Sequence, residues 1–192
     1  MTLILASTSP RRLELLKQIG ITPDSVMAPD CDETPLPYEK PEELALRLSI
    51  AKAHAVRSKH QGTFIIAGDT IVQARAKLWP KCSDDAEVRK SLSALSGRRH
   101  RVIGGVCVMN PIGKIFSRVV ETTVAFKRLH EDEISTYVTS KEGVGKAGGY
   151  AMQGRAAAFI KFISGSPSNV IGLPLHETAQ LLQGSGYYDL HA

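Results

Sequence analysis

The chain has 192 residues, of which 43% are hydrophobic and 22% charged, with a formal net charge of +5. That composition suits a globular domain long enough to bury a sizeable core. No run approaches the ~18 consecutive apolar residues that a helical membrane span requires, which excludes that class of protein.

Met1-Thr2-Leu3 leads directly into an apolar run without a basic leader, so no signal peptide is expected. Cys31, Cys82 and Cys107 are odd in number and widely spaced, which predicts a reduced, cytoplasmic protein without a disulfide framework or a cysteine metal site. The positive balance fits either nucleic acid or a polyanionic small molecule. Basic residues are dispersed, with Arg98-Arg99-His100-Arg101 the one dense run, and few aromatics interleave with it to stack bases. Repeats and low-complexity linkers are absent, which predicts one domain over residues 1–192.

Leu3-Ile4-Leu5-Ala6 predicts a buried strand, followed by Ser7-Thr8-Ser9 and a helix opened by Pro10, since Pro is favoured where the first helical N–H has no partner. Ser9 or Thr8 is expected to cap that helix, Leu13, Leu15, Leu16 and Ile19 to form its apolar face, and Gly20 to end it. Arg11-Arg12 break the pattern, because a helix N-terminus carries partial positive charge and prefers anions. Hydroxyls, bare amides and two guanidinium groups converge where a phosphate would bind. The competing reading is two solvated arginines on an exposed turn.

Asp24-Ser25-Val26-Met27 predicts a short strand leading to Asp30-Cys31-Asp32-Glu33. Such an acidic loop is solvated or contributes to holding Mg²⁺, which takes one or two carboxylates alongside substrate phosphates. Pro41-Glu42-Glu43 opens a second helix with Leu44, Leu48, Ala51 and Ala55 on one face. Lys52 falls beside that stripe, and taken alone it is expected to snorkel to water. Thr63–Val72 predicts a central strand buried on both faces, yet it contains Asp69, and a carboxylate in a dry core needs a cation or metal partner. Lys52, Lys81, Arg12 or a metal is the expected partner, which makes Asp69 a candidate functional residue.

Gln73–Cys82, with Trp79 beside Pro80-Lys81, predicts a hairpin or an excursion over a cleft. Ser83 is expected to cap a helix through Leu95 that ends at Ser96-Gly97. The basic run after it is electrostatically ordinary at a helix C-terminus. Val102–Met109 and Lys114–Phe126 flank the turn Asn110-Pro111-Ile112-Gly113 and predict a long hairpin. A helix follows from Leu129 to about Ser140. Gly143–Gly149 lacks Walker A spacing, and its glycines are expected to allow close backbone approach to a ligand. Gln153 is suited to reading a base edge, though an ordinary loop amide would look the same. Phe159–Ile163 predicts a strand, Ser164–Asn169 a turn, Val170-Ile171-Gly172-Leu173 a further apolar run, and Pro174 the start of a final helix. The alternation predicts a mixed α/β fold.

Leu5-Ala6-Ser7-Thr8-Ser9-Pro10-Arg11-Arg12, Asp32-Glu33, Lys52-Ala53, Gly68-Asp69-Thr70, Ser96-Gly97-Arg98-x-His100-x-Val102, Lys146-Ala147-Gly148, Tyr150-x-x-Gln153-Gly154-Arg155-Ala156 and Asn169-Val170-Ile171-Gly172-Leu173-Pro174 occur in order. In this set the chain resembles the Maf (septum-formation-inhibitor-like) family over nearly its whole length. The resemblance implies an elongated mixed β-sheet flanked by helices with a central cleft, as in inosine triphosphatases, and a homodimer. It implies a nucleoside triphosphate pyrophosphatase using Mg²⁺ or Mn²⁺, with no membrane and no stable nucleic-acid partner. Asp69 would be the general base, Glu33 would assist at the metal or water with Asp69, and Ser7, Arg12, Lys52 and Lys81 would hold the triphosphate beside Arg11. Thr70 and Gln153 would belong to the sugar and base end.

Gly68-Asp69-Thr70 resembles the branch preferring dTTP and UTP, with the 7-methyl-GTP branch as the alternative. Two positions depart from the family pattern: Pro80-Lys81-Cys82 stands where Gly-Lys-Pro is common, and Gly145 where Asp is usual. Outside the pyrophosphatase class, the rival readings are a non-catalytic nucleotide or nucleic-acid binder and a phosphatase releasing orthophosphate.

Overall fold

A computed structural model describes residues 1–187. In chain order the elements are β1 (Leu3–Ala6), α1 (Pro10–Gln18), β2 (Ser25–Met27), α2 (Pro41–Arg57), β3 (Phe64–Ala74), β4 (Lys77–Trp79), α3 (Asp85–Leu95), β5 (Arg99–Met109), β6 (Ile115–Phe126), α4 (Glu131–Thr139), a 3₁₀ turn (Arg155–Phe159), β7 (Ile160–Ser164), α5 (Pro167–Ile171) and α6 (Leu175–Ser185). The strands pair in the order β2-β1-β3-β5-β6-β7, with β4 on β3. Pairing is parallel for β2-β1 and β1-β3 and antiparallel for β3-β4 and β6-β7. The sheet is therefore mixed and flanked by helices, as the alternation of periodicities predicts.

Two compact units are present. The first comprises Met1–Thr70, Gly104–Val120 and the segment from Gly172; the second comprises Ile71–Ile103 and Glu121–Ile171. In the first unit Leu3–Ala6 pair residue by residue with Phe64–Ala67. Ile4, Ala6, Ile65, Ala67, Cys107 and Met109 pack against Ala53 and Val56 of α2. Gly105 lets α2 lie close to β5: a Cβ there would stand 2.1 Å from the Ala45 carbonyl oxygen.

The second unit is built on Val88, Leu92 and Leu95 of α3, Val102, Val124, Phe126, Ile134, Tyr137, Tyr150 and Phe159. His100 is buried among these rings, its Nε2 2.8 Å from the Tyr150 hydroxyl. Lack of hydration lowers its pKa to about 4 and pushes the Tyr150 phenol up.

Several local expectations are corrected. Ser9 occupies the N-cap position of α1 but makes no side-chain cap bond; the Ser7 hydroxyl instead accepts from the Ser9 amide at 3.1 Å. Asp84, not Ser83, caps α3, accepting from the Glu87 amide at 2.8 Å. Pro167–Ile171 forms a short helix where a turn and an apolar run are expected. Within 143–149, a Cβ at Gly143 would meet the Gly149 carbonyl oxygen at 2.4 Å and one at Gly149 the Cys82 Sγ at 3.0 Å, whereas one at Gly145 would meet nothing within 4 Å. Among the described residues no helix is long and apolar enough to cross a membrane.

Candidate active site

Parallel pairing aligns Ala6 with Ala67, so the chain leaves β1 at Ser7 beside the point where β3 continues into Gly68-Asp69-Thr70. This register brings together residues some sixty positions apart. Ser7 and Asp69 are both buried. Gly68 leaves room on the strand: a Cβ there would lie 3.2 Å from the Gly105 carbonyl oxygen and 3.5 Å from Arg12 Nε.

Arg12 turns back from α1 onto this place. Its Nε donates to the Gly172 carbonyl at 2.8 Å, Nη1 to Ser7 Oγ at 3.1 Å, and Nη2 to Thr70 Oγ1 at 3.3 Å. All three acceptors are neutral, so the guanidinium is oriented without being neutralised. Burial lowers its pKa, opposed by the negative charges of Asp69 and Glu33, and an arginine still retains its proton. The partial dipole of α1 adds to the same positive field.

Lys52 is 3% exposed, which corrects the expectation that it snorkels. Its Nζ lies 2.5 Å from Asp69 Oδ1 and 2.8 Å from Glu33 Oε1. One ammonium therefore joins the buried strand carboxylate to the acidic loop, where the Glu33 side chain is 45% exposed. Asp69 is the buried acid that β3 would otherwise disfavour, and Lys52 is the compensating partner. Arg11, in the first turn of α1, is half-buried.

The structure thus brings Ser7, Arg12, Glu33, Lys52, Asp69 and Thr70 together within the first unit. Lys81 and Gln153 belong to the second unit. Lys81 is on an isolated antiparallel bridge to Ala147, reinforced by Cys82 N–H to Lys146 O at 3.1 Å and Gly145 N–H to Cys82 O at 2.7 Å. Gln153 is exposed on the turn preceding the 3₁₀ segment, and the Glu142 carboxylate accepts from the nearby Arg155 amide at 2.8 Å.

The basic run disperses to separate roles within the second unit. Arg98 donates to the Ala94 carbonyl at 2.7 Å, Arg99 lies over the Phe162 ring, His100 is buried, and Arg101 holds Glu121 and Gln73.

Gly172 escaped the sequence reading as a site residue because it acts through its carbonyl, and a glycine's backbone acceptor leaves no trace in residue type. It lies at φ +147, in the range where glycine is favoured. Glu33 and Asp69 are hard oxygen donors, suited to a divalent ion that also takes substrate phosphate. No cluster of three or more His, Cys, Asp or Glu side chains able to hold a metal occurs among the described residues. That donor set fits an ion completed by its ligand's oxygens rather than a closed protein cage.

Comparison with known proteins agrees with the motif order. The curated relatives include proteins named dTTP/UTP pyrophosphatase from Paramagnetospirillum magneticum, 52% identical over 185 residues and covering 96% of this chain and 97% of that protein. Others with that name come from Sphingopyxis alaskensis, 52% identical with 96% of each chain covered, and from Caulobacter vibrioides, 49% identical with 96% of each covered. Among solved structures, a HAM1 protein from Coxiella burnetii aligns over 96% of this chain and 99% of its own at 18% identity and a TM-score of 0.47. The family described as Maf-like protein matches residues 2–185. The opening strand–serine–arginine block and the aspartate-bearing strand lie inside that match, and the chain belongs to the Maf family.

Proposed function

We propose that this protein hydrolyses a nucleoside triphosphate of the dTTP/UTP class to the monophosphate and pyrophosphate. The observation that carries the reading is the Glu33–Lys52–Asp69 ion triad beside Arg12, a cation held in place by neutral oxygens. The Arg12 guanidinium, whose hydrogen bonds go to neutral oxygens only, offers a direct charge partner to a phosphate, and the two carboxylates on Lys52 suit the divalent ion that accompanies a phosphate chain. The names of the relatives at about half identity support the same substrate class.

In this reading water attacks the α-phosphorus and the P–O bond to the β-phosphate breaks, with pyrophosphate leaving. Ser7 and Arg12 hold phosphate oxygens, Arg11 adds charge, and Lys52 offsets charge as it builds up in the transition state. Asp69, fixed on a rigid strand, accepts the water proton, and Glu33 orients that water with it. Thr70 serves the sugar end. Glu33 and Asp69 would hold Mg²⁺ or Mn²⁺, which would supply charge neutralisation for the triphosphate. The reading includes a single domain, a cytoplasmic setting, a homodimer and no stable nucleic-acid partner. The free thiols of Cys31, Cys82 and Cys107 support a reduced compartment, and sedimentation tests the dimer.

The deciding experiment follows pyrophosphate and orthophosphate separately with dTTP, UTP, 7-methyl-GTP and purine triphosphates in Mg²⁺. Pyrophosphate from the pyrimidine substrates is expected. Asp69→Asn should lose turnover by about 10²-fold or more while still binding nucleotide. Orthophosphate as the product, or undiminished turnover by that variant, would overturn the mechanism. Lys81→Gln and Gln153→Ala test the triphosphate and base roles that the resemblance implies for those residues.

A further inference from the structure

The segment between β2 and α2 carries Glu33, yet it has no regular secondary structure. Something other than a helix or a strand ladder must fix the carboxylate against Lys52. Within the loop, Asp32 Oδ1 accepts from the Thr34 amide at 2.8 Å, and Glu39 N–H donates to Leu36 O at 3.2 Å. Tyr38, fully exposed, lies at φ 61, a left-handed conformation that a bulky residue adopts only when its surroundings require it.

One side chain of α2 ties this loop together. Arg47 Nε and Nη2 grip both oxygens of Glu39, at 2.6 and 2.8 Å, and Nη2 also donates to the Thr34 carbonyl at 3.0 Å. The Glu39 side chain is 6% exposed despite its charge, and its Oε2 also accepts from the Leu36 amide at 3.0 Å. The Thr34 carbonyl is on the residue directly after Glu33. Arg47 and Lys52 are on the same helix, so one rigid element carries both the loop's fastening and the ammonium that Glu33 meets.

We propose that Arg47, clasping Glu39 and the Thr34 carbonyl, is a positioning residue that sets Glu33 against Lys52 and Asp69 in the active site. The inference rests on the catalytic reading of that triad. A planar fork is needed, because two carboxylate oxygens and a carbonyl are held at once, and a lysine ammonium cannot present that pattern. Glu39 acts as the anchor in the loop rather than as a substrate contact. A displacement of about 1 Å in a catalytic group is enough to cost about 10²-fold in rate.

The test compares Arg47→Lys and Glu39→Gln with Glu33→Gln, and with the double variants combining each with Glu33→Gln, by kcat and KM for pyrophosphate release from dTTP. Hydrogen exchange at the Glu33, Thr34 and Leu36 amides is followed alongside. Arg47→Lys and Glu39→Gln are expected to lower kcat about 10- to 100-fold with KM little changed, and to speed exchange in the loop. Neither should lower kcat further once Glu33 is already Gln, because interacting positions are non-additive.

Equal losses in both backgrounds, or unchanged kcat in the single variants, overturn the proposal. Unchanged loop exchange with an impaired Glu33→Gln enzyme overturns the clasp alone. Full turnover by Glu33→Gln instead overturns the catalytic reading of Glu33, and the role assigned to Arg47 falls with it even if the loop has loosened. Using Glu39→Gln alongside Arg47→Lys breaks the clasp from its other side, so a folding defect peculiar to one variant does not decide the matter.

Discussion

Lys52 shows how little a residue type says by itself. Its position beside an apolar helical stripe is that of any lysine with a buried stem and a wet head, but here the head is buried too, bonded to Asp69 and Glu33. Removing one partner of such a pair costs more than the pair contributes, because an uncompensated charge stays behind. Lys52→Met should therefore lower stability by about 3 kcal/mol, read as a fall in the denaturation midpoint. Asp69→Asn should cost less, since Lys52 keeps Glu33. Equal losses would show that the ammonium is not the element holding the two acids. Asp69 was legible as a functional candidate from sequence because an acid in an apolar strand conflicts with its surroundings. Arg47 and Glu39 were not, because a fork and a carboxylate eight residues apart look like any solvated pair.

At the scale of elements, the position of α2 depends on a missing side chain. Gly105 allows the Ala45 carbonyl to come within 2.1 Å of where a Cβ would be. Gly105→Ala must push α2 from β5, at a cost of about 2 kcal/mol or more, and should reduce turnover because α2 carries Lys52. A variant with unchanged melting and activity would contradict that packing. β5 also carries His100, neutral in the second unit's core with its Nδ1 unpartnered among the described residues. Its pKa is depressed to about 4 from 6.5. The unfolded chain therefore takes up this proton first as pH falls, and stability drops from pH 6.5 down to about pH 4. The contribution is roughly 3 kcal/mol across that window and flattens on either side. His100→Gln should remove that part of the pH dependence in a denaturation series.

For the whole molecule, ligand binding and folding are linked. Any nucleotide that binds the native state alone stabilises it, by about 2.7 kcal/mol when present at a hundredfold excess over Kd. Thermal melts of the Asp69→Asn variant with dTTP should rise with concentration while the variant turns over little. DNA raising the melt instead, with a steep salt dependence, would favour a nucleic-acid binder. The dispersal of Arg98, Arg99, His100 and Arg101 to separate partners supports the nucleotide. The division into two compact units left no composition shift or linker in the sequence, because each unit is assembled from segments far apart in the chain.

By itself the sequence determined most element types and the family, and it singled out Arg12 and Asp69 as candidates, because hydrophobic period, turn residues and out-of-place charges are local properties. Only the tertiary structure decided who meets whom: that β1 and β3 pair in the register placing Ser7 beside Gly68-Asp69, that Lys52 bridges two acids, and that a glycine carbonyl orients Arg12. These interactions join positions up to 160 apart. They depend on backbone direction and strand register, which no residue type encodes alone.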